Sequence, residues 1–226
     1  MKYQWILFDA DETLFSFHSY LGLKNVLSRY GISHSKEDYA QFQAINKPLW
    51  VAYQNAEISA EELRSIRFAH FSTLTGRTPL ELNLELMNEM AQISQPLDGV
   101  YRMLESLHGK VKMGIITNGF TYLQHKRLTN TNTEKFFEFV ITSEEIGVAK
   151  PSPQIFEAAF SKMGEFDRNN VLMVGDTLTS DIQGGRNMGI DTCWFNPTKQ
   201  ENTTEIAPHY EIHSMSELVY LVSGRI

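Results

Sequence analysis

The chain has 226 residues, 42% of them hydrophobic, enough to bury a sizeable core and to exclude a disordered protein. Its 27 acidic and 20 basic residues leave a net charge of −7, the wrong sign for a protein that follows a nucleic acid along a basic face. A single cysteine, Cys193, excludes an intrachain disulfide framework and any multi-cysteine metal site.

Residues 1–8 carry one lysine and then a short apolar run that meets Asp9 at once. This is not the form of a secretory leader, and no apolar stretch approaches the ~20 residues needed to span a bilayer. The expectation is a cytoplasmic protein with no membrane partner. Within this segment, Tyr3 to Phe8 reads as a buried strand.

Residues 15–95 hold almost no strand signal and at least four helical patterns. Ser35-Lys36-Glu37-Asp38 and Ser59-Ala60-Glu61-Glu62 fit capping boxes. In the third helix Leu63, Ile66, Arg67, His70 and Phe71 share a face. In the fourth, Leu80, Leu84, Met87 and Ala91 form a stripe. A block of this kind, interrupting an alternating pattern, predicts an inserted helical cap over 15–95 on a core made of 1–14 and 96–226. The cap aromatics Phe15, Phe17, Tyr20, Trp50 and Tyr53 read mostly as packing residues.

From residue 100 onwards strands and helices alternate. Apolar strands are predicted at 111–117, 139–142, 171–174 and 191–195, with an edge strand near 209–212. Helices fall around 100–107, 121–128, 153–163, 180–188 and 214–221. Near-continuous apolar strands between helices predict an α/β fold, a doubly wound parallel sheet covered on both faces. Cys193 reads as a buried strand residue, and 196–208 as an exposed polar loop.

Every polar cluster follows a strand. Asp9-Ala10-Asp11-Glu12-Thr13 follows the first, Thr117-Asn118-Gly119 the second and Gly175-Asp176-Thr177, with Asp181 soon after, the fourth, while Lys150-Pro151 lies in the loop before another helix, at the same rim. Open α/β sheets bind ligands beyond these strand ends. Residues i and i+2 leaving a strand point the same way, so Asp9 and Asp11 can face one pocket. With Asp176 nearby, their mutual repulsion calls for a cation. Three oxygen ligands with room for water describe a Mg²⁺ site, which Mn²⁺ or Co²⁺ could also occupy in vitro. Lys150, the Thr117 hydroxyl and the amides around Asn118 can neutralise the equatorial oxygens of a phosphoryl group. Taken singly, each has an ordinary reading: Asp176 and Asp181 as helix N-terminal acids, Thr117 as a cap, Lys150 as a surface lysine. Gly119 and Gly175 read as turn glycines. The seven histidines show no metal-ligand spacing.

The motifs D-A-D-E-T-L-F, I-T-N-G-F, A-K-P and G-D-T-x-x-x-D, in that order, resemble the haloacid dehalogenase superfamily, whose first type of cap sits where the helical block lies here. The resemblance implies that Asp9 attacks phosphorus to form an aspartyl-phosphate. It implies that Asp11 protonates the leaving oxygen and then activates water. Thr117, Asn118 and Lys150 would hold the phosphoryl group. Asp9, the main-chain oxygen of Asp11, and Asp176 would bind Mg²⁺, and Asp181 would orient the lysine or a metal-bound water. An acid at position 11 disfavours dehalogenation, since dehalogenases of the superfamily lack it.

A narrower resemblance lies in Asn46-Lys47-Pro48-Leu49-Trp50, Tyr53-Gln54-Asn55, Ile116 to Phe120 and Ser143 to Pro151, which look like the bacterial pyrimidine 5′-nucleotidases of the superfamily. It implies hydrolysis of nucleoside monophosphates such as UMP, dUMP and dTMP, with Lys47 and Trp50 as candidates for meeting the base. A sugar-phosphate or phosphoglycolate phosphatase is the alternative enzyme, and a catalytically silent binding module on the same fold the alternative of another class. Oligomeric state is left open.

Overall fold

Trp5–Phe8 is a run of large apolar side chains with no polar face, stable in a sheet only where both faces are covered. In the structure, a computed structural model that describes residues 1–224, it forms β1, fully buried near the middle of a six-stranded parallel sheet. The chain then runs through four helices, α1 (Ser19–Ser28), α2 (Lys36–Gln54), α3 (Ala60–Thr75) and α4 (Pro79–Ile93). It continues through α5 (Val100–Leu107), β2 (Lys112–Thr117), α6 (Thr121–Asn130), β3 (Phe139–Thr142), α7 (Ser143–Ile146) and α8 (Pro153–Met163). Last come β4 (Val171–Gly175), α9 (Gln183–Asn187), β5 (Asp191–Phe195), β6 (Tyr210–Ile212) and α10 (Met215–Ser223).

The strand order β3-β2-β1-β4-β5-β6 puts the topological switch point at β1 and β4. Phe8 pairs with Ile115 of β2 and Val174 of β4, so the three strands end within two residues of one another, at Phe8, Thr117 and Gly175. The Asp9 N–H still donates to Val174 at 2.9 Å, which holds the next residues over the crevice. Tyr3, Ile6 and Phe8 pack on one side of the sheet with Leu104 and Leu218, and Trp5 and Leu7 on the other with Phe156. Cys193 is buried, and burial pushes its thiol up. Among the described residues no helix is long and apolar enough to cross a membrane.

The four helices after β1 form the cap. Both expected capping boxes are present, Ser35 with Asp38 and Ser59 with Glu62, and Thr78 with Glu81 makes a third, followed by Pro79 at the first helical position. The expected faces need correcting. In α3, Leu63, Arg67 and Phe71 are buried with Phe68, while Ile66 and His70 are exposed at the margin. In α4, Leu80 and Leu84 are exposed, and Leu82, Leu86, Met87, Met90 and Ala91 are buried. That helix is apolar on two sides, and its packing against α1, α3 and α6 decides which is covered. Among the aromatics, Phe15 and Tyr53 are buried, Tyr20 and Trp50 half-buried and Phe17 exposed.

The two strands of chain that join cap to core run side by side. The Ser16 N–H donates to Gln95 and the Leu97 N–H to Leu14, each at 2.9 Å. The apolar cluster of the cap also takes in Phe120 and Leu123, so α6 is shared between the two parts.

Candidate active site

The charged rim is built by strand ends and the tight loops after them. Asp9 follows β1, Thr117 closes β2, and Gly175-Asp176 ends β4. A π-helical turn over Leu178–Ile182 presents Asp181 and leads into α9. Lys150 precedes α8 and is 1% exposed, yet its ammonium is met on three sides: it donates to Asp9 Oδ1 at 2.6 Å and to the Ile116 carbonyl at 2.6 Å, and forms an ion pair with Asp181 Oδ1 at 2.8 Å. The Asn118 side chain fixes the lysine's backbone from both sides, accepting from its N–H at 2.7 Å and donating to its carbonyl at 3.1 Å. Thr13 accepts from the Asp176 N–H at 3.1 Å, while the Trp194 Nε1–H donates to the Asp176 carbonyl at 2.8 Å. Asp11 is gripped from the opposite wall by Arg127 of α6, a fully buried guanidinium that also lies 5.1 Å from the Phe15 ring centroid.

Two glycines are needed for close approach. A Cβ on Gly175 would fall 2.3 Å from the Asp181 carboxyl carbon, and one on Gly119 would fall 2.4 Å from Gln124 Nε2 and 3.3 Å from Asp11 Oδ2. Neither has a positive φ, so the turn role expected of them is not what requires glycine here.

Five carboxylates (Asp9, Asp11, Glu12, Asp176, Asp181) line one cleft of about 420 Å³ and are met by two cations (Lys150, and Arg127 behind Asp11), an excess of three acidic groups over basic ones. Burial pushes Asp9 well above the usual carboxylate range. Lys150 opposes this, and Asp181, Asp176 and Asp11 add to it. Burial and the charge of Asp181 push Asp176 up to about 6. Burial disfavours the Lys150 ammonium, but Asp181 and Asp9 outweigh it and hold the lysine above its ordinary value. Asp9, Asp176 and Asp181 can each place one oxygen within 4.8 Å of the others. Both Asp181 oxygens are already engaged, Oδ1 in the ion pair with Lys150 and Oδ2 accepting from the Thr177 N–H at 3.0 Å, so Asp9 and Asp176 are the carboxylates with room for a cation.

This charge pattern sits in a chain whose residues 3–189 match the model of the haloacid dehalogenase-like hydrolases. The chain belongs to that family. It is 45% identical to the pyrimidine 5′-nucleotidase YjjG of Escherichia coli, over 98% of this chain and 99% of that one. It is 33% identical to the pyrimidine 5′-nucleotidase PynA of Streptococcus pneumoniae, over 97% and 94%. Its fold superimposes with a TM-score of 0.86 on the magnesium-bound orthorhombic crystal form of YfnB from Bacillus subtilis, 29% identical, covering 99% of this chain and all of that one.

Within this haloacid dehalogenase-like frame the structure brings Asp9, Asp11, Thr117, Asn118, Lys150, Asp176 and Asp181 to one cleft. Trp50 lines it from α2. Lys47 does not: it is exposed and lines no described cavity, because one step from Asn46 turns it about 100° to the margin of the lining face. Sequence reasoning missed Arg127 and Thr13. Arg127 lies in a helix with no periodic mark of function, and only its distance from Leu123 and Phe120, one and two turns back on the same face, could have placed it on the cleft side. Thr13 is legible only as part of the aspartate motif. The cap also reaches this site: Tyr53 donates to Ser143 at 2.9 Å, Ser143 donates to the Asn118 carbonyl at 3.0 Å, and Arg64 pairs with Glu144.

Proposed function

We propose that the protein is a Mg²⁺-dependent 5′-nucleotidase that hydrolyses pyrimidine nucleoside monophosphates such as UMP, dUMP and dTMP through an aspartyl-phosphate on Asp9. The observation that carries the chemistry is the surplus of acidic groups around Asp9 and Asp176, which fits a divalent cation. The substrate class is supported by the two pyrimidine 5′-nucleotidase relatives, which align over nearly the whole chain, cap included.

A bound Mg²⁺ would be held by Asp9 and Asp176, and it supplies charge that lets an anionic nucleophile meet an anionic phosphate. Asp9 attacks phosphorus, and the ester oxygen leaves with a proton from Asp11. Asp11 then takes a proton from the water that attacks the aspartyl-phosphate, which releases inorganic phosphate and restores Asp9. Arg127 keeps the Asp11 carboxylate aimed at the cleft. Lys150, with its protons committed to Asp9 and Asp181, acts as a fixed positive charge beside the nucleophile, and its hold on the phosphoryl group is electrostatic. Thr117 and the Asn118 backbone complete the phosphate cradle.

Phosphate release is to be measured with Mg²⁺ on UMP, dUMP, dTMP, purine nucleotides and sugar phosphates, with EDTA and Asp9→Asn controls. Metal-dependent release concentrated on the pyrimidine nucleotides, and lost in Asp9→Asn, is the expected result. Release confined to sugar phosphates would overturn the substrate class, and full activity in Asp9→Asn would overturn the mechanism.

A further inference from the structure

Beside the cleft lies a second, tighter recess of about 60 Å³, walled by the cap and α6. Asp11, Ser19, Gln43, Asn46, Trp50 and Gly119 line both spaces, so a group leaving from Asp11 has the recess next to it. Among the described residues its one cation is Arg67, on α3 and only 6% exposed. Two neutral amide oxygens face the guanidinium: Asn83 Oδ1 accepts from Nη2, and Asn46 Oδ1 lies 3.5 Å from Nη1. Nε has no partner, and among the described residues no carboxylate comes within ion-pair distance of Arg67. Burial, with the like charge of Arg64, pushes it down to about 9. Of five N–H donors only two are aimed at an acceptor, in a place closed to bulk water. A buried charge left this way is costly, and its cost falls when acceptors arrive.

The walls decide which acceptors. Phe42, Leu86, Met87, Met90 and Leu123 are apolar, and Trp50 and Phe120 put ring centroids 6.0 and 5.2 Å from the guanidinium. A second phosphate or a carboxylate would lose its water against hydrocarbon with a single guanidinium in return. The far edge of a flat, neutral ring, entering from the larger cleft with a carbonyl foremost, suits both the walls and the cation.

We infer that Arg67 is the specificity-determining residue for the base, donating to the carbonyl at position 4 of uracil or thymine, the edge turned away from the sugar. The inference rests on the nucleotidase reading above and deepens it. Cytosine carries an amino donor at the same position, which sets donor against donor.

The test is kcat/KM for UMP, CMP and ribose 5-phosphate, in the Mg²⁺-loaded full chain and in Arg67→Met. Wild type is expected to prefer UMP over CMP by about 100-fold or more, a margin within reach of a site that hydrogen-bonds one base and not the other. In Arg67→Met the UMP:CMP ratio is expected to fall to within about threefold of unity, and the UMP:ribose 5-phosphate ratio to fall at least about tenfold. Equal losses on UMP and CMP would overturn the role of Arg67 while leaving the nucleotidase reading intact. Wild-type turnover of ribose 5-phosphate as fast as UMP would overturn that reading and this inference with it. Should Arg67→Met fail to fold, Arg67→Lys, which keeps the charge and loses the planar fork, goes through the same panel. A reduced UMP:CMP ratio is expected there, and an unchanged one overturns the assignment.

Discussion

The sheet rim and the cap recess bury positive charge on opposite plans. At the rim the Lys150 ammonium is 1% exposed and meets two carboxylates and a carbonyl. In the recess Arg67 is nearly as buried and meets amides alone. Arg127 lies between the two plans, with one carboxylate, Asp11, and with Nε and Nη1 unpartnered. The rim is complete within the chain except for its excess negative charge, whereas the recess is incomplete until something enters. On the function proposed above, the charge whose partners are built in holds the reacting groups in place, and the charge without them is kept for a ligand.

The largest effect that would break this comparison is at Lys150. Lys150→Met leaves Asp9 and Asp181 buried beside each other without their shared cation. Breaking such a buried pair costs about 3–5 kcal/mol. Urea denaturation at neutral pH in EDTA should show that loss, and phosphate release should fall at least about a thousandfold. A destabilisation below about 1 kcal/mol would mean that the rim does not depend on its internal pairing.

That difference in plan also explains what could be read from the chain before it folded. The parallel sheet, the cap and the rim were legible because each leaves a local mark: apolar runs, capping boxes, and aspartates placed just past strands. Asp9, Asp11, Asp176 and Lys150 carry those marks. Arg127 and the partnerless state of Arg67 do not, since a partner, or its lack, is a property of packing among segments far apart in sequence. The stripe assigned to Leu80 and Leu84 failed for the same reason. A helix apolar on two sides is oriented by its neighbours, and no periodicity within α4 records them.

Arg127 sharpens the comparison at the next size of effect. Arg127→Met frees the Asp11 carboxylate while leaving Asp9, Lys150 and Asp176 untouched. Loss of a residue that orients a reacting group typically costs about 10- to 100-fold in rate. That loss should fall on kcat, with KM for UMP within about twofold of wild type, and Arg127→Lys should recover part of it. A change in KM alone would show that Arg127 serves substrate binding and not the aim of Asp11.

The excess negative charge gives a pH signature. Asp176 titrates at about 6 against 3.8 for an ordinary aspartate, so the folded, metal-free protein binds more protons than the unfolded chain between those values. Its stability should therefore fall as pH rises from 3.8 through about 6, because the raised carboxyl is ionised at a cost only the folded state bears. If Asp176 holds Mg²⁺ as proposed, the ion needs its ionised form, so binding should weaken below about pH 6 and the stabilising effect grow above it. Thermal melts at pH 5, 6 and 7.5, in EDTA and in Mg²⁺, read both trends. A Mg²⁺ effect equal at all three would separate Asp176 from the metal.

The smallest effect is the most discriminating. If Arg67 is held for a ligand, its burial is a standing cost to the free protein, offset by two amide oxygens and no counterion. Arg67→Met replaces it with a flexible apolar chain of related length among Phe68, Trp50 and Phe120, and apolar replacement of buried charge is often neutral or stabilising by about 1–4 kcal/mol. The partial satisfaction by Asn46 and Asn83 puts the expected value at the low end, between no change and about 1 kcal/mol of added stability. Lys150→Met and Arg67→Met would then move stability in opposite directions, although both remove one buried positive charge. A loss of more than about 2 kcal/mol in Arg67→Met would show instead that its bonds to Asn46 and Asn83 hold the cap together, and the difference between rim and recess would be one of degree.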